Sequence, residues 1–294
     1  MNVLVTGHLG FVGRNFTSYF TSRGHTVKGI DIKEGNDCRD FFRKSSEKFD
    51  LTVHLAAIVG GRETIEKEPL SVATDLSIDA EFFNWAVRTS QERVVYYSSS
   101  AAYPIRHQSS GKRVKMSEDL IDLNQVENPD LTYGWAKLTG EFLAQFAERQ
   151  GVRVHVFRPF SGFGADQDLS YPFPSFLDRT HRKVDDFQIW GNGEQVRDFI
   201  HIDDVIEGTM KAVELDYKGP LNLGWGRPTS FNDLAETMFT ISGYRPTTVT
   251  RLIDKPAGVA FRCCDPTEFF KVYKPKFSLE ESISRCLAEY GAKL

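Results

Sequence analysis

The chain has 294 residues, with 36 Lys and Arg against 40 Asp and Glu. This balance argues against attraction to nucleic acid or to a membrane surface through bulk charge, so we expect a small-molecule partner. No apolar run approaches the roughly 18 residues that span a bilayer. The four cysteines show neither CxxC spacing nor a disulfide framework, which predicts no metal site and favours a reducing cytoplasm. They are Cys38, Cys263, Cys264 and Cys286.

Short apolar runs alternate with amphipathic segments through the first 160 residues. The predicted strands are 3–6, 26–31, 51–55, 93–97 and 153–157, and the predicted helices are 13–22, 69–88 and 133–149. This alternation predicts an α/β fold, a Rossmann-like doubly wound parallel sheet with helices on both faces.

Beyond residue 160 the connections become richer in Pro and Gly. Helices are predicted at 174–182, 203–214 and 230–241, and a strand pair at 188–190 and 196–202. We therefore predict a dinucleotide-binding domain over 1–160. We expect 161–294 to be mainly a smaller substrate-binding lobe, with some segments returning to the sheet.

A glycine-rich turn follows the first predicted strand. Gly7, Gly10 and Gly13 allow a tight turn, close approach of a pyrophosphate and close packing of the next helix, whose N-terminus faces the anion. Asp31 lies 18 residues after Gly13, at the end of the second strand. A carboxylate there accepts from ribose hydroxyls and repels a 2′-phosphate. The pattern predicts NAD rather than NADP.

Tyr133 and Lys137 lie four residues apart and hence on one face of the third predicted helix. A neighbouring cation favours a phenolate, and lowering the pKa of a tyrosine by about 3 units requires roughly 4 kcal/mol. We predict that Tyr133 is the general base for a sugar hydroxyl. Lys137 would support it and hold the nicotinamide ribose, although this spacing also occurs by chance on amphipathic helices.

The G-x-x-G-x-x-G turn and the Tyr-x-x-x-Lys pair resemble the extended branch of the short-chain dehydrogenase/reductase superfamily. The segment GNGEQVRDFIHIDD, residues 191–204, resembles a motif of its nucleotide-sugar epimerases and dehydratases. The resemblance covers nearly the whole chain and implies an NAD-dependent enzyme that acts on a nucleotide diphosphate sugar as a homodimer. It implies further cofactor contacts at Phe11, Val12, Ile32, Asp37, Cys38, Leu55, Ala56, Ala57 and Pro159. It implies substrate contacts at Ser161, Arg197, Arg262 and Asp265, the two arginines binding the diphosphate.

Three serines, residues 98–100, follow the fourth predicted strand. Counted back from Tyr103, the resemblance points to Ser99 as the hydroxyl that bonds the substrate oxygen and shares its proton with Tyr133, with Ser100 as a helper. At the position of Ala101, related dehydratases and decarboxylases carry Glu, and GDP-fucose synthase and GDP-mannose 3,5-epimerase carry Cys. Alanine transfers no proton. This argues against proton transfer at C3 or C5 but against neither reduction nor 4-epimerisation. Asp31 favours retained NAD, which points to a 4-epimerase that works through a transient 4-keto sugar.

Three alternatives stay open: a nucleotide-4-keto-sugar reductase, a 4,6-dehydratase-type enzyme, and a catalytically idle NAD-binding regulator. The chain departs from the family pattern at Ser161 and Phe163, which stand where Asn and Tyr are usual, and at Asp75, where Asn is common. The loop residues His107, Asp168 and His181 could supply acid or base groups or simply be solvated.

Helices over 75–88 and 133–149 are expected side by side, as in the dimer interface of the family. Their apolar side chains could form that interface, and core burial is the equal alternative. The side chains concerned are Phe82, Phe83, Trp85, Leu138 and Phe142.

Overall fold

The structure, a computed structural model, describes residues 1–109, 111 and 113–292. Its strands are β1 (Asn2–Thr6), β2 (Thr26–Ile30), β3 (Leu51–His54), β4 (Arg93–Tyr97), β5 (Arg153–Pro159), β6 (Ser161–Phe163), β7 (Asp186–Trp190), β8 (Val196–His201), β9 (Leu221–Leu223), β10 (Pro228–Ser230) and β11 (Thr248–Leu252). Its helices are α1 (Phe11–Ser22), α2 (Cys38–Lys44), α3 (Arg62–Lys67), α4 (Pro69–Val72), α5 (Thr74–Arg88), α6 (Leu131–Arg149), α7 (Pro172–His181), α8 (Ile202–Glu214), α9 (Phe231–Ser242), α10 (Thr267–Val272) and α11 (Leu279–Ala292).

The large sheet is parallel and has the strand order β2-β1-β3-β4-β5-β9. Successive residues of a strand point to opposite faces, and both faces are covered. Val3 and Val5 share one core cluster with Phe16 of α1, whereas Leu4 joins the opposite cluster with Phe82 of α5. The predicted doubly wound parallel sheet is therefore confirmed, and the order reverses between β1 and β3, where such sheets bind ligands.

Two details of the sequence prediction are wrong. The helix predicted over 69–88 is divided at Ala73, where Leu76 N–H donates to Ala73 O and closes a tighter turn than an α-helix does. The predicted strand pair does not form, because β7 pairs with β11 while β8 lies between β10 and β6. Gly191 and Gly193, both with positive φ, turn the chain between β7 and β8 out of a hairpin path.

The residues after β5 build a second core. Aromatic side chains from β6, α7, β7, β8 and α9 fill it, while α8, β9 and α10 pack on the large sheet. Among the described residues, none of the helices combines the length and apolar character that crossing a membrane requires.

The apolar side chains predicted at a dimer face divide between core and surface. Phe82, Phe83, Trp85 and Leu138 are buried, so the core alternative holds for them; Phe142 is 44% exposed. The physical reason is that α2 packs across α5, and its Phe42 contacts the rings of Phe82 and Trp85.

Candidate active site

The glycine turn joins β1 to α1 at the carboxyl edge of the sheet. Gly7 has φ +70°, and a Cβ there would lie 2.9 Å from Ala56 N. At Gly13 a Cβ would lie 2.1 Å from Gly7 O, closer than any real side chain permits. Gly10 precedes α1, and its N–H donates to Gly7 O at 3.0 Å. The turn therefore requires glycine and keeps the backbone open to a pyrophosphate.

Asp31 lies beside this turn, immediately after β2. Its Oδ2 accepts from Leu9 N and its Oδ1 from Lys33 N, both at 2.9 Å. The carboxylate is thus oriented by two backbone donors next to the phosphate cradle. Arg14, the nearest residue of α1 that could bind a 2′-phosphate, instead pairs with Asp166 at 3.1 Å. Both contacts agree with a site for NAD.

The remaining predicted cofactor residues surround the same edge. Leu55, Ala56 and Ala57 follow β3, and the Thr6 hydroxyl accepts from the backbone of Leu55 at 3.2 Å and of Ala56 at 3.3 Å. Asp37 caps α2 and is paired with Arg39. Cys38 is the first residue of α2, and burial raises the pKa of its thiol to about 12. Phe11 and Val12 begin α1, Ile32 follows Asp31 at the surface, and Pro159 ends β5.

The three serines after β4 have three different positions. Ser98 donates to Glu141 Oε1 at 2.5 Å, which makes it a structural residue. Ser99 accepts from Ala101 N at 3.0 Å. Burial raises the pKa of the Tyr133 phenol, and Ser99 lies close enough to oppose this rise. Ser100 is buried in the short 3₁₀ turn that follows. Of the three, Ser99 is the hydroxyl that the fold brings to Tyr133.

Helix α6 carries Tyr133 and Lys137 against this serine turn. A Cβ at Gly134 would lie 2.4 Å from Ala101 O, so the close approach of helix and turn requires glycine. Lys137 is 5% exposed, and its Nζ lies 5.9 Å from the Tyr133 ring centroid. The fold therefore brings together the hydroxyl, phenol and ammonium that the sequence singled out.

The structure adds burial to the groups that set the pKa of Tyr133. Burial raises the pKa of the Tyr133 phenol; Lys137 opposes this, and Asp75 adds to it. The sequence argument counted the cation but neither the burial nor the neighbouring carboxylates. In the cofactor-free protein the phenol is consequently a proton donor, and a further positive charge must be present before it becomes a base.

A buried polar network lies behind Lys137. The Thr6 hydroxyl already accepts two backbone N–H groups, so its own proton goes to His54 Nδ1, 2.8 Å away. His54 Nε2–H then donates to Asp79 at 3.2 Å, and Tyr96 donates to the same carboxylate at 2.5 Å. Burial lowers the pKa of His54, which agrees with a neutral ring. Burial also disfavours the charged Lys137, but Asp79, Tyr133 and Asp75 together raise its pKa.

A buried ion pair, Arg158 with Glu141, supports the serine turn, because Glu141 accepts the hydrogen bond from Ser98. Arg158 donates to Glu141 through Nε at 2.9 Å and through Nη2 at 2.7 Å, and both side chains are 1% exposed.

Ser161 and Phe163 begin and end β6, and Phe163 is buried in the second core. Phe163 therefore has a packing role in place of a polar side chain.

Arginines from three segments meet at the other end of the crevice. Arg197 of β8 and Arg262 from the loop before α10 are joined by Arg62, the first residue of α3. Asp130, just before α6, accepts from Arg62 Nη1 at 2.8 Å and from Arg262 Nη2 at 2.6 Å. Although burial favours the neutral acid, Arg262 and Arg62 hold the pKa of Asp130 below its usual range.

Several predicted side chains lie outside this constellation. Asp265 accepts from the backbone and hydroxyl of Thr267 in the turn before α10. Asp168 accepts from Ser170 N, and His181 packs edge-on against Tyr290. His107 lies in a 3₁₀ turn, residues 105–107.

The geometry can be compared with known proteins. The sequence model of the NAD dependent epimerase/dehydratase family matches residues 3–224. The chain belongs to this epimerase/dehydratase family. One relative, the dTDP-4-dehydro-6-deoxy-D-allose reductase of a Streptomyces species, is 24% identical; the alignment covers 92% of this chain and 90% of the reductase.

Structures of two UDP-glucose 4-epimerases share the fold over all of this chain. That of Thermotoga maritima, with UDP-glucose, has TM-score 0.83, 23% identity and 99% of its own chain covered. That of Thermus thermophilus, with NAD, has TM-score 0.84, 18% identity and 100% covered.

The predicted cofactor, NAD, is confirmed by the family. The residues present fit it, since the glycine turn is closed to any Cβ and Asp31 is fixed beside it. The turn and Asp31 would hold the dinucleotide, while Tyr133 and Lys137 lie towards its reactive end.

Four residues of this epimerase/dehydratase site were missed in the sequence. Arg62 follows a Gly-Gly pair, and an isolated arginine there was the available signal. Asp130 lies three residues before Tyr133, and Asp79 lies one helical turn after Asp75. Tyr171 lies just before α7. Burial raises its pKa, and Tyr133 lies close enough to raise it further. No local sequence pattern distinguishes these side chains from surface residues.

Proposed function

We propose that this protein is an NAD-dependent nucleotide-sugar 4-epimerase. The observation that carries the proposal is the composition of the crevice around Ser99, Tyr133 and Lys137. Ala101, at 4% exposure, fills the next position of the serine turn and offers no proton. The Tyr133 phenol and the Ser99 hydroxyl can exchange a single proton at a sugar oxygen, and 4-epimerisation requires no other acid or base.

Each side chain has a defined task in this proposal. Tyr133 removes the proton from the C4 hydroxyl and later returns it, and Ser99 holds the same oxygen through its hydrogen bond. Lys137 stabilises the phenolate by its positive charge. When bound, NAD accepts hydride from the sugar carbon and gives it back, so the cofactor is regenerated in each cycle. Arg197 and Arg262 bind the diphosphate.

The test uses the purified protein with bound NAD and a panel of UDP-, dTDP- and GDP-sugars in deuterated water, followed by NMR. We expect interconversion of two C4 epimers without deuterium at C3 or C5 and without net consumption of added cofactor. Tyr133→Phe, which keeps the ring, should abolish turnover. Deuterium at C3 or C5 would refute simple 4-epimerisation, and no turnover of any sugar with bound NAD would favour an idle regulator.

A 4-keto-sugar reductase is the second candidate, and the protonation of Tyr133 favours it. Burial raises the pKa of this phenol, so it suits donating a proton to a keto oxygen. A relative is named as a reductase of a 4-dehydro sugar. Stoichiometric oxidation of added NADH by a 4-keto nucleotide sugar would establish this reaction in place of epimerisation.

We also propose that the protein is a homodimer joined through α5 and α6. Trp135, Phe142 and Phe146 recur on one face of α6 and are each 43–46% exposed, with Leu76 of α5 also exposed. Analytical ultracentrifugation should show a dimer that Phe142→Asp dissociates. Leu215→Asp, at an exposed apolar residue of another surface, is the matched control; dissociation by both or by neither would contradict this interface.

The four cysteines are buried free thiols. Free thiols persist in reducing compartments, so we propose a cytoplasmic location. Fractionation of cells that express the chain, with labelling of its thiols under denaturing conditions, tests this; oxidised cysteines in the native protein would contradict it.

A further inference from the structure

The diphosphate end of the crevice contains an anion of its own. Asp130 is 4% exposed, and its carboxylate accepts from Arg62 Nη1 through both oxygens, at 2.9 and 2.8 Å. Arg262 Nη2 donates to the same carboxylate at 2.6 Å, while its Nε is held by Gln108 at 2.7 Å. Two guanidinium groups from different segments of the chain are thus aimed at one point.

The positive charge here exceeds what the protein neutralises. Arg197 gives its donors to backbone carbonyls, at 2.8 Å to Val196 O and 2.8 Å to Val259 O. Burial, followed by Arg262 and Arg62, lowers the pKa of Arg197 to about 9. Arg62 and Arg262 therefore share the carboxylate of Asp130, Arg197 adds a third guanidinium group beside them, and Glu66 pairs with Arg62 from the exposed side. A partly buried cluster of this kind favours an added anion.

The fold holds Arg197 next to Arg62. A Cβ at Gly258 would lie 3.2 Å from Arg197 Nη2 and 3.3 Å from Arg62 Cδ, so glycine at 258 lets the two side chains approach. Gly258 has φ +70°, which also favours glycine.

The backbone of Asp130 is fixed separately, since its N–H donates to Ala101 O at 3.0 Å and its carbonyl accepts from Gly134 N at 2.9 Å. These backbone bonds hold the start of the helix that carries Tyr133 without using the Asp130 side chain.

We propose that Asp130 is an internal counterion that occupies part of the diphosphate site until the ligand displaces it, and that Arg62 is a third diphosphate-binding arginine. This inference rests on the proposed nucleotide-sugar function. A phosphate oxygen accepts the same forked donors as the Asp130 carboxylate and carries more charge. The ligand therefore competes with Asp130 for Arg62 and Arg262.

Competition predicts effects of opposite sign for two partners in one ion pair. Arg62→Gln removes a donor to the diphosphate and should weaken binding at least about tenfold. Asp130→Asn removes the competing and repelling charge and should tighten binding about tenfold. If Asp130 were only a structural partner of the arginines, its loss would disorder them and weaken binding instead.

The experiment is calorimetric titration of the NAD-loaded protein with UDP, dTDP and GDP, and with the corresponding monophosphates. The variants are Arg62→Gln, Arg62→Lys and Asp130→Asn. Arg245→Gln is the control, because Arg245 is an exposed arginine that pairs with Glu236 and not with Asp130. We expect Arg62→Lys to bind between wild type and Arg62→Gln. The loss in Arg62→Gln should be larger for diphosphates than for monophosphates.

The outcomes separate this inference from the proposed function. Unchanged binding in Arg62→Gln, or weaker binding in a folded Asp130→Asn, overturns the inference while leaving a nucleotide-sugar enzyme in place. If Asp130→Asn does not fold, the ratio of diphosphate to monophosphate affinity in Arg62→Gln decides alone. Failure of the wild type to bind any of the three diphosphates overturns both. The expected pattern without epimerisation supports this site and refutes only the proposed reaction.

Discussion

Replacing Asp75 with Asn removes a carboxyl group that the fold buries completely. Asp75 is 0% exposed, and its Oδ1 accepts from Ile58 N at 2.6 Å, a bond that an asparagine oxygen can also accept. Its Oδ2 finds no hydrogen-bond partner within the part of the chain that the structure describes. Burial raises the pKa of Asp75 from 3.8 to about 6, with Lys137 opposing the shift. The substitution therefore changes the charge more than the contacts.

The sign of the effect follows from proton linkage. The folded protein binds the Asp75 proton more tightly than the unfolded chain, so the stability from this group is fully present below pH 3.8 and is lost as the pH rises through about 6. The cost to the free energy of unfolding is about 1.5 kcal/mol at pH 5 and about 3 kcal/mol at pH 8. Asp75→Asn carries no such cost and should exceed wild type in stability by about 3 kcal/mol at pH 8.

Urea unfolding, monitored by tryptophan fluorescence at pH 5, 6, 7 and 8, measures this difference. We expect the advantage of Asp75→Asn over wild type to grow with pH, whereas Asp254→Asn, at an exposed carboxyl, should show no such trend. A stability difference between Asp75→Asn and wild type that is the same at pH 5 and pH 8 would refute the reasoning, because a buried carboxyl that titrates on folding cannot produce it.

Three further predictions concern catalysis, the cofactor cradle and the buried ion pair. Tyr133→Phe should lower kcat about 10²- to 10⁴-fold with nucleotide affinity unchanged in calorimetry; equal losses in both would mean a structural role. Gly13→Ala places a Cβ 2.1 Å from Gly7 O and should abolish NAD retention measured by absorbance; retained NAD would show that the turn can shift. Glu141→Gln leaves Arg158 buried without its carboxylate and should cost about 3–5 kcal/mol of unfolding free energy. A loss below about 1 kcal/mol in urea unfolding would show that Arg158 finds another partner.

The local part of the site could be predicted from the sequence because each motif lies within a few residues. Gly7 to Gly13 form one turn, Tyr133 and Lys137 lie on one helix, and Ser99 directly follows a strand. In each case the spacing along the chain determines which side chains share a face or a turn. Strand and helix periodicity likewise predicted the alternation that becomes the parallel sheet.

Choices between two faces of a helix were less predictable. Helix α5 carries aromatic side chains on more than one face, and burial of Phe82 and Trp85 depends on α2 packing across them. The environment of the Tyr133 phenol was only partly predictable for a related reason, because burial raises its pKa. Charge on the neighbouring helical turn is visible in sequence, whereas desolvation depends on every element that covers the phenol.

The sequence by itself determined the dinucleotide turn, Asp31 and the Tyr133 and Lys137 pair, because short-range spacing places these groups, and the family resemblance pointed to Ser99. Only the tertiary structure decided that Arg62, Arg197 and Arg262 surround Asp130, since these residues come from four segments separated by long stretches of chain. It also decided which carboxylates are buried beside Lys137. Contacts between distant segments and the loss of water around them are set by packing, and packing is not encoded in any single stretch of sequence.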